Sequence, residues 1–295
     1  MIEILTNRAV LHVRGGDAGK FLQALVSNDV VGKIYSYNYF LTNQGRYLFD
    51  FFVYKETDSS YFIDLHEKDL VGLIKKLTLY KLRSDVEIQD RSGEYKILYS
   101  NDKLKTSAET DAETGVELES NAKLETGAKF SLQDPRFDEM GFRSLIQIEN
   151  INYPPEKYGA IYNSDKYHCA IADGRPDLIY DRSIPIEYGA EELLGIDYRK
   201  GCYIGQEVIS RAKYQGVVRK KIFKLSFDKE LSGDFCGTDV TDLEGKKLGI
   251  VCSGYKNQVI ALLREENYLG LAEKLSIVNG ETAEILIPPW RTKAI

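Results

Sequence analysis

The sequence predicts an α+β protein with mixed and antiparallel sheets and helices, followed by a small barrel or sandwich of short strands. Three observations carry this. Over residues 2–99 the segments run strand, helix, strands, helix, strand, which suggests layered α+β structure rather than a doubly wound sheet. Residues 220–290 break into short β-rich runs divided by Gly233, Gly237, Gly245, Gly249, Gly254 and Asn257, the punctuation of an all-β unit. At 295 residues the chain is long enough for two or three domains with an ample core.

The elements follow in order. Residues 2–13 alternate and are rich in β-formers, giving one or two short strands. Gly15-Gly16-Asp17 opens a helix over 18–26, with Asp17 as its N-cap and Phe21, Leu22, Leu25 and Val26 as its apolar stripe. Residues 35–43 and 46–54 form a hairpin around Asn43-Gln44-Gly45-Arg46, and 60–65 a further strand. An amphipathic helix spans 67–80 with Leu70, Leu73, Ile74, Leu77 and Leu79 on its apolar positions, and strands follow at 85–90 and 94–99. Residues 101–128 are polar and charged, so they read as a mobile loop or an exposed hairpin. Asp134-Pro135-Arg136 makes a turn before a strand at 142–149. A helix over 154–172 starts near Pro154-Pro155 and ends at Gly174-Arg175-Pro176. Pro288-Pro289-Trp290 reads as an edge or tail, and the chain has no internal repeat.

Composition narrows the function classes. Hydrophobic residues make up 43% and charged residues 28%, ordinary for a soluble protein. A net charge of −6 gives no global nucleic-acid footprint, so neither stable DNA binding nor direct tRNA binding is expected. The basic run Arg199, Lys200, Arg211, Lys213, Arg219, Lys220 and Lys221 reads as a solvated face plus ligand-binding charges rather than an RNA surface. No apolar run approaches the roughly 20 residues that span a bilayer. The opening Met1-Ile2-Glu3-Ile4-Leu5 lacks the basic and apolar regions of a signal peptide. A cytoplasmic protein with reduced thiols and no membrane partner is the expectation. Cys169, Cys202, Cys236 and Cys252 show no Cys-x-x-Cys spacing, and His12, His66 and His168 are scattered, so no metal site is expected.

Chemistry concentrates in Lys200-Gly201-Cys202-Tyr203-Ile204-Gly205-Gln206-Glu207. A thiolate is the reactive form of cysteine, and the adjacent Arg199-Lys200 pair lowers a thiol pKa. The glycines allow close backbone approach to a ligand. Residues 205–213 read as a short helix with Glu207 and Arg211 four apart on one face. Cys202 then lies near the positive end of that helix. The plain alternative is a glycine-rich turn with an inert buried cysteine.

This signature, continued by Arg211, Tyr214 and Gly216, closely resembles that of the YgfZ family, folate-binding relatives of the glycine-cleavage aminomethyltransferase, or T-protein. Asp134-Pro135-Arg136 and Gly141-Phe142-Arg143 extend the resemblance. It implies a T-protein-like folate-binding cloverleaf over 1–220 and a C-terminal β-barrel over 221–295. It also implies tetrahydrofolate, or a one-carbon derivative, as cofactor. Glu187 is then the candidate carboxylate for the pterin edge. Lys200 and Arg211 would contact the tail or ring, or tune Cys202. Gly205 and Gln206 belong to the same ligand-facing signature, and Tyr203 either stacks on a ring or packs in the core. Gln44 to Asp50 resembles a T-protein stretch that ends in two acidic residues, one of them catalytic; here Phe49 replaces the first, leaving Asp50, either buried or on an exposed strand face. The implied function is an accessory role in iron–sulfur cluster assembly or repair. Cys202 would be the working thiol, cluster assembly proteins or client enzymes the partners, and any effect on tRNA modification indirect. The alternative is an aminomethyl or one-carbon transferase.

Overall fold

Strand β4 (Tyr47–Thr57) shows how composition drives this fold: its run Tyr-Leu-Phe-Asp-Phe-Phe-Val-Tyr is buried from end to end except at its polar C-terminus. Aromatic and β-branched residues fill a pleated, covered surface well. In the computed structural model the described residues are 1–106, 127–151, 160–216, 218–271 and 273–293. The polar stretch read at 101–128 lies mostly outside them, as does the start of the helix read at 154–172.

Besides β4, the N-terminal strands are β1 (Ile2–Ile4), β2 (Arg8–Arg14), β3 (Tyr35–Leu41), β5 (Ser60–His66), β6 (Glu87–Asp90), β7 (Tyr95–Ser100), β8 (Ala128–Gln133) and β9 (Phe142–Gln147). They form a five-stranded sheet ordered β3-β4-β5-β2-β6 and a four-stranded sheet ordered β1-β7-β9-β8. The pairings within β2–β5, β4–β5, β7–β9 and β8–β9 are antiparallel. Helices α1 (Ala18–Leu25) and α2 (Leu70–Lys81) lie where the apolar periodicity predicts them. Asp17 differs from its expected capping role: its carboxylate accepts the Asp85 amide at 2.8 Å.

The C-terminal strands β10 (Lys220–Ser226), β11 (Asp239–Thr241), β12 (Lys247–Tyr255), β13 (Gln258–Arg264), β14 (Leu275–Val278) and β15 (Glu281–Leu286) close into a barrel ordered β10-β13-β12-β11-β14-β15. Closure comes from β10, which pairs with β13 on one side and β15 on the other. Phe223, Leu225, Val251, Val259, Leu263, Val278 and Ile285 fill the interior. This resolves the choice between barrel and sandwich. The ring is thinnest between β11 and β14, which meet only at Thr241 and Ile277.

The remaining α-helices of five residues or more are α3 (Ala160–Cys169), α4 (Gln206–Tyr214), α5 (Glu265–Leu269) and α6 (Pro289–Lys293). The last corrects the reading of Pro288-Pro289-Trp290 as an edge or tail. Trp290 is 2% exposed and donates its indole N–H to the Ala170 carbonyl at 3.3 Å. Burying that ring outweighs leaving a short terminus loose.

The chain forms two compact units. One comprises residues 1–23, 30–37 and 51–162; the other comprises 24–29, 38–50 and 163–295. Every candidate site residue belongs to the second.

Candidate functional site

The signature is anchored by glycine geometry. Gly205 caps the N-terminus of α4 with a φ of +84°, a left-handed conformation that favours glycine. A Cβ there would fall 2.5 Å from the Thr42 carbonyl and 3.1 Å from the Gly45 Cα. Gly45, at the tip of the β3–β4 hairpin, in turn leaves only 3.2 Å between a Cβ of its own and the Val208 side chain. Hairpin tip and signature therefore meet backbone to backbone. The Thr42 carbonyl also accepts the Gly45 amide at 2.9 Å, and Thr42 Oγ1 the Arg46 amide at 3.1 Å, which fixes the tip.

Lys200 is occupied. Its Nζ donates to the carbonyls of Val26 at 2.5 Å and Asn28 at 3.0 Å, and lies 5.2 Å from the Tyr203 ring centre. The segment it braces is laced to the residues before the signature. Ser27 Oγ donates to the Gly195 carbonyl at 2.6 Å, Asn28 Nδ2 to the Leu194 carbonyl at 2.6 Å, and the Asp197 amide to the Ser27 carbonyl at 3.0 Å. Ser27 and Asn28 are buried and hold the signature in place. Sequence reasoning missed them. Their signal was a sharp switch from the apolar run Leu25-Val26 to Ser27-Asn28-Asp29 at the end of a helix.

Cys202 is a free, exposed thiol between the exposed Gly201 and the buried Tyr203. Cys202 is therefore not the buried cysteine of the plain alternative. Tyr203 is buried, its ring packed inward, and its hydroxyl has no hydrogen-bond partner; burial pushes its pKa well up. Gln206 opens α4. Arg211 and Glu207 pair at 2.6 Å as their spacing predicts, with both side chains more than two-thirds exposed. Such a pair is worth little in stability and leaves Arg211 able to swing toward a ligand.

Glu187 lies in a 3-10 turn, Pro185–Tyr188, half-buried. Among the described residues its carboxylate has no hydrogen-bond partner. Burial raises its pKa, partly offset by the charge of Lys220. Asp50 is buried in β4 and accepts the Tyr47 hydroxyl at 2.9 Å. Gly174 packs on that pair so closely that a Cβ would fall 1.6 Å from Asp50 Oδ1. Its turn is held by Asp177, which accepts the Lys166 ammonium at 2.8 Å and the Ser253 hydroxyl from β12. No hydrogen bond or ion pair joins Cys202, Glu187 and Asp50 to one another. Among the described residues no group of three His, Cys, Asp or Glu side chains could hold a metal.

Residues 219–293 match the family described as the CAF17 C-terminal β-barrel domain. The whole-chain fold is that of the aminomethyltransferase T of the glycine cleavage system from Bartonella henselae, with a TM-score of 0.69 over 97% of this chain and 84% of that one. At 13% identity this likeness concerns fold alone. The iron–sulfur cluster assembly factor IBA57 of Mus musculus, a mitochondrial protein, is 30% identical over 97% of this chain and 84% of its own length. The chain belongs to the IBA57 family. The human member is 29% identical over the same shares, and the Mycosarcoma maydis homologue 31% identical over 75% of this chain. This chain spans only 56% of the fungal protein, about half its length. The resemblance read from the signature thus holds at the level of the T-protein-like fold and of iron–sulfur cluster assembly relatives, which carry the IBA57 name rather than YgfZ.

These relatives also correct the cytoplasmic expectation, since each is a mitochondrial protein by name. The physical reason is plain. Free thiols and mild acidity do not distinguish one reducing compartment from another. Among the described residues no helix is long and apolar enough to cross a membrane.

Proposed function

We propose that this chain is a tetrahydrofolate-binding accessory protein for iron–sulfur cluster assembly or repair, with Cys202 as the working thiol. The observation that carries the reading is Glu187, a half-buried carboxylate with a raised pKa and no internal hydrogen-bond partner. A half-buried carboxylate with no internal partner is open to a ligand that donates hydrogen bonds to it. The amide and amine edge of a pterin offers two parallel N–H donors, the complement of two carboxylate oxygens. The orphaned Tyr203 hydroxyl is a second unsatisfied group in the same region of sequence. On this reading Glu187 would hold the pterin edge, and Arg211 the anionic tail. Gly205 and Gln206 would present backbone beside it, with Lys200 keeping the signature rigid from behind. Bound tetrahydrofolate supplies a reduced pterin able to carry one-carbon units.

The cluster is cargo rather than a resident group. One exposed thiol cannot hold it alone, so assembly proteins or client enzymes would provide the remaining ligands. Any effect on tRNA modification would pass through an iron–sulfur enzyme that performs it. The second reading, an aminomethyl transferase, is favoured by one observation: Asp50 is buried and bonded to Tyr47. Serine at Cys202 separates the two, abolishing cluster delivery under the first and sparing turnover under the second.

Calorimetric titration of tetrahydrofolate into the wild type and Glu187→Ala tests the folate limb. Micromolar binding by the wild type, weakened at least about a hundredfold in the variant by loss of a charge-assisted bidentate contact, is the expected outcome. Equal binding by both proteins would remove Glu187 from the site, and no binding by the wild type would remove folate.

A further inference from the structure

Strand β10 presents one cation that the fold does not engage. Side chains alternate along a strand, so Phe223 and Leu225 fill the barrel while Lys220, Ile222 and Lys224 point outward. The rest of the second unit covers that outward face. Ile222 is buried, Lys224 Nζ donates to the His168 carbonyl at 3.0 Å, and the Pro185–Tyr188 turn that carries Glu187 packs on the same strand. The cations around Lys220 are all occupied. Lys221 pairs with Glu265 at 3.0 Å, and Arg264, opposite Lys220 on β13, pairs with Glu266 at 3.5 Å. Lys220 itself is exposed and has no side-chain hydrogen bond or ion pair among the described residues. The Glu187 carboxylate has none either. The two still act on each other, since Lys220 is the cation that partly offsets the effect of burial on Glu187. A donor and an acceptor of opposite charge thus stand near one another without pairing.

We propose that Lys220 determines the specificity of the Glu187 site, its ammonium donating to the ring carbonyl beside the N–H edge that Glu187 holds. This inference rests on the folate reading and names what the site selects. In a pterin the ring N–H that meets a carboxylate lies between an exocyclic amine and a ring carbonyl. Glu187 would take the N–H and the amine. The carbonyl oxygen is an acceptor, and an ammonium carries three donors and no acceptor on a flexible four-carbon stem that can reach it. That oxygen is what separates a 4-oxo pteridine from its 4-amino analogue. An amine at this position would turn its own N–H toward the ammonium, donor against donor. A site that hydrogen-bonds one group of its substrate discriminates against the analogue lacking that group. Glu187 alone would not discriminate, because both rings offer a carboxylate adjacent N–H donors. The choice between them therefore falls on Lys220.

The test titrates the full chain calorimetrically with tetrahydrofolate and with tetrahydroaminopterin, which differ only in the 4-oxo and 4-amino group. The wild type should bind the oxo compound at least about tenfold tighter, the order of one hydrogen bond to a charged group. Lys220→Met keeps the apolar stem and removes the charge and the donors. It should weaken tetrahydrofolate about tenfold to a hundredfold and erase the preference, with unchanged circular dichroism. Lys220→Arg, which still donates, should restore part of the preference. Lys221→Met, whose ammonium is engaged by Glu265, should leave both affinities as they are. Three outcomes would overturn the proposal. Equal weakening of both ligands by Lys220→Met would assign Lys220 to the anionic tail or to a general field. Unchanged affinities would leave it a solvated surface lysine. A wild type that binds both compounds equally would show that the carbonyl is not read. Loss of tetrahydrofolate binding in Glu187→Ala alongside any of these keeps the folate reading and removes Lys220 alone. No binding of either compound by the wild type removes both.

Discussion

Glu187 is held where its charge is disfavoured, chiefly by burial. A carboxyl whose pKa is raised on folding binds its proton more tightly in the native state. Its contribution is therefore favourable below the unfolded value, about 4.3, and is lost as pH rises through the raised native value. Glu187→Gln should accordingly melt higher than the wild type at neutral pH, by about 1–4 °C, with the gap closing below about pH 4. Differential scanning calorimetry across that range checks this, and a pH-independent gap would assign the effect to packing instead. Folate affinity should fall as pH drops through the raised value, because the protonated carboxyl accepts one hydrogen bond fewer. At this scale the sequence was partly legible. Cys202 and the Glu207–Arg211 pair stand out from local spacing alone. The lacing of Ser27 and Asn28 to Leu194 and Gly195 did not, since their sequence separation exceeds 160 residues and polar side chains carry no mark of a distant partner.

Between elements, charge is buried as deliberately as apolar surface. Arg143 on β9 donates to Asp64 Oδ2 on β5 at 3.1 and 2.7 Å, both side chains 1% exposed, and its guanidinium carbon lies 4.1 Å from the Phe52 ring centre on β4. Arg8 on β2 holds the other oxygen of Asp64 at 2.5 Å. Arg136 pairs with Asp134 at 2.7 Å and covers Tyr37 and Phe52. The Asp-Pro-Arg and Gly-x-Arg motifs therefore cross-brace the two sheets of the first unit. Removing one partner of a buried pair strands the other. Arg143→Met should destabilise that unit by about 3 kcal/mol, the low end for such losses because Arg8 still faces Asp64. Urea unfolding followed by tyrosine fluorescence measures it, and a loss under about 1 kcal/mol would mean that Arg8 neutralises Asp64 unaided. The sequence marked both motifs as a turn and a strand. It could not show that Arg136 and Arg143 point inward, because arginine is seldom buried and only a matched carboxylate makes burial tolerable.

Across the whole second unit, the C-terminus acts as a wedge. Trp290 packs on Gly189, where a Cβ would fall 2.4 Å from the indole ring, and the neighbouring Arg291 donates to the Ile222 carbonyl at 3.1 Å and to Glu265 at 2.7 Å. Trp290→Ala should cost about 3–5 kcal/mol, read as a lowered denaturation midpoint with an unchanged slope. An unaffected midpoint would show that the terminus is dispensable. Gly189 follows Glu187 by two residues, so the wedge bears on the same turn that presents the candidate pterin ligand. Period and punctuation by themselves marked most of the strands, helices α1, α2 and α4, and the strand-rich C-terminal unit, because each depends on residues a few positions apart. Only the tertiary structure decided barrel closure, the burial of Trp290 and Asp50, and the engagement of Lys200 with Val26 and Asn28. Those depend on which distant segments meet, and that is set by the packing of the whole chain rather than by any local pattern.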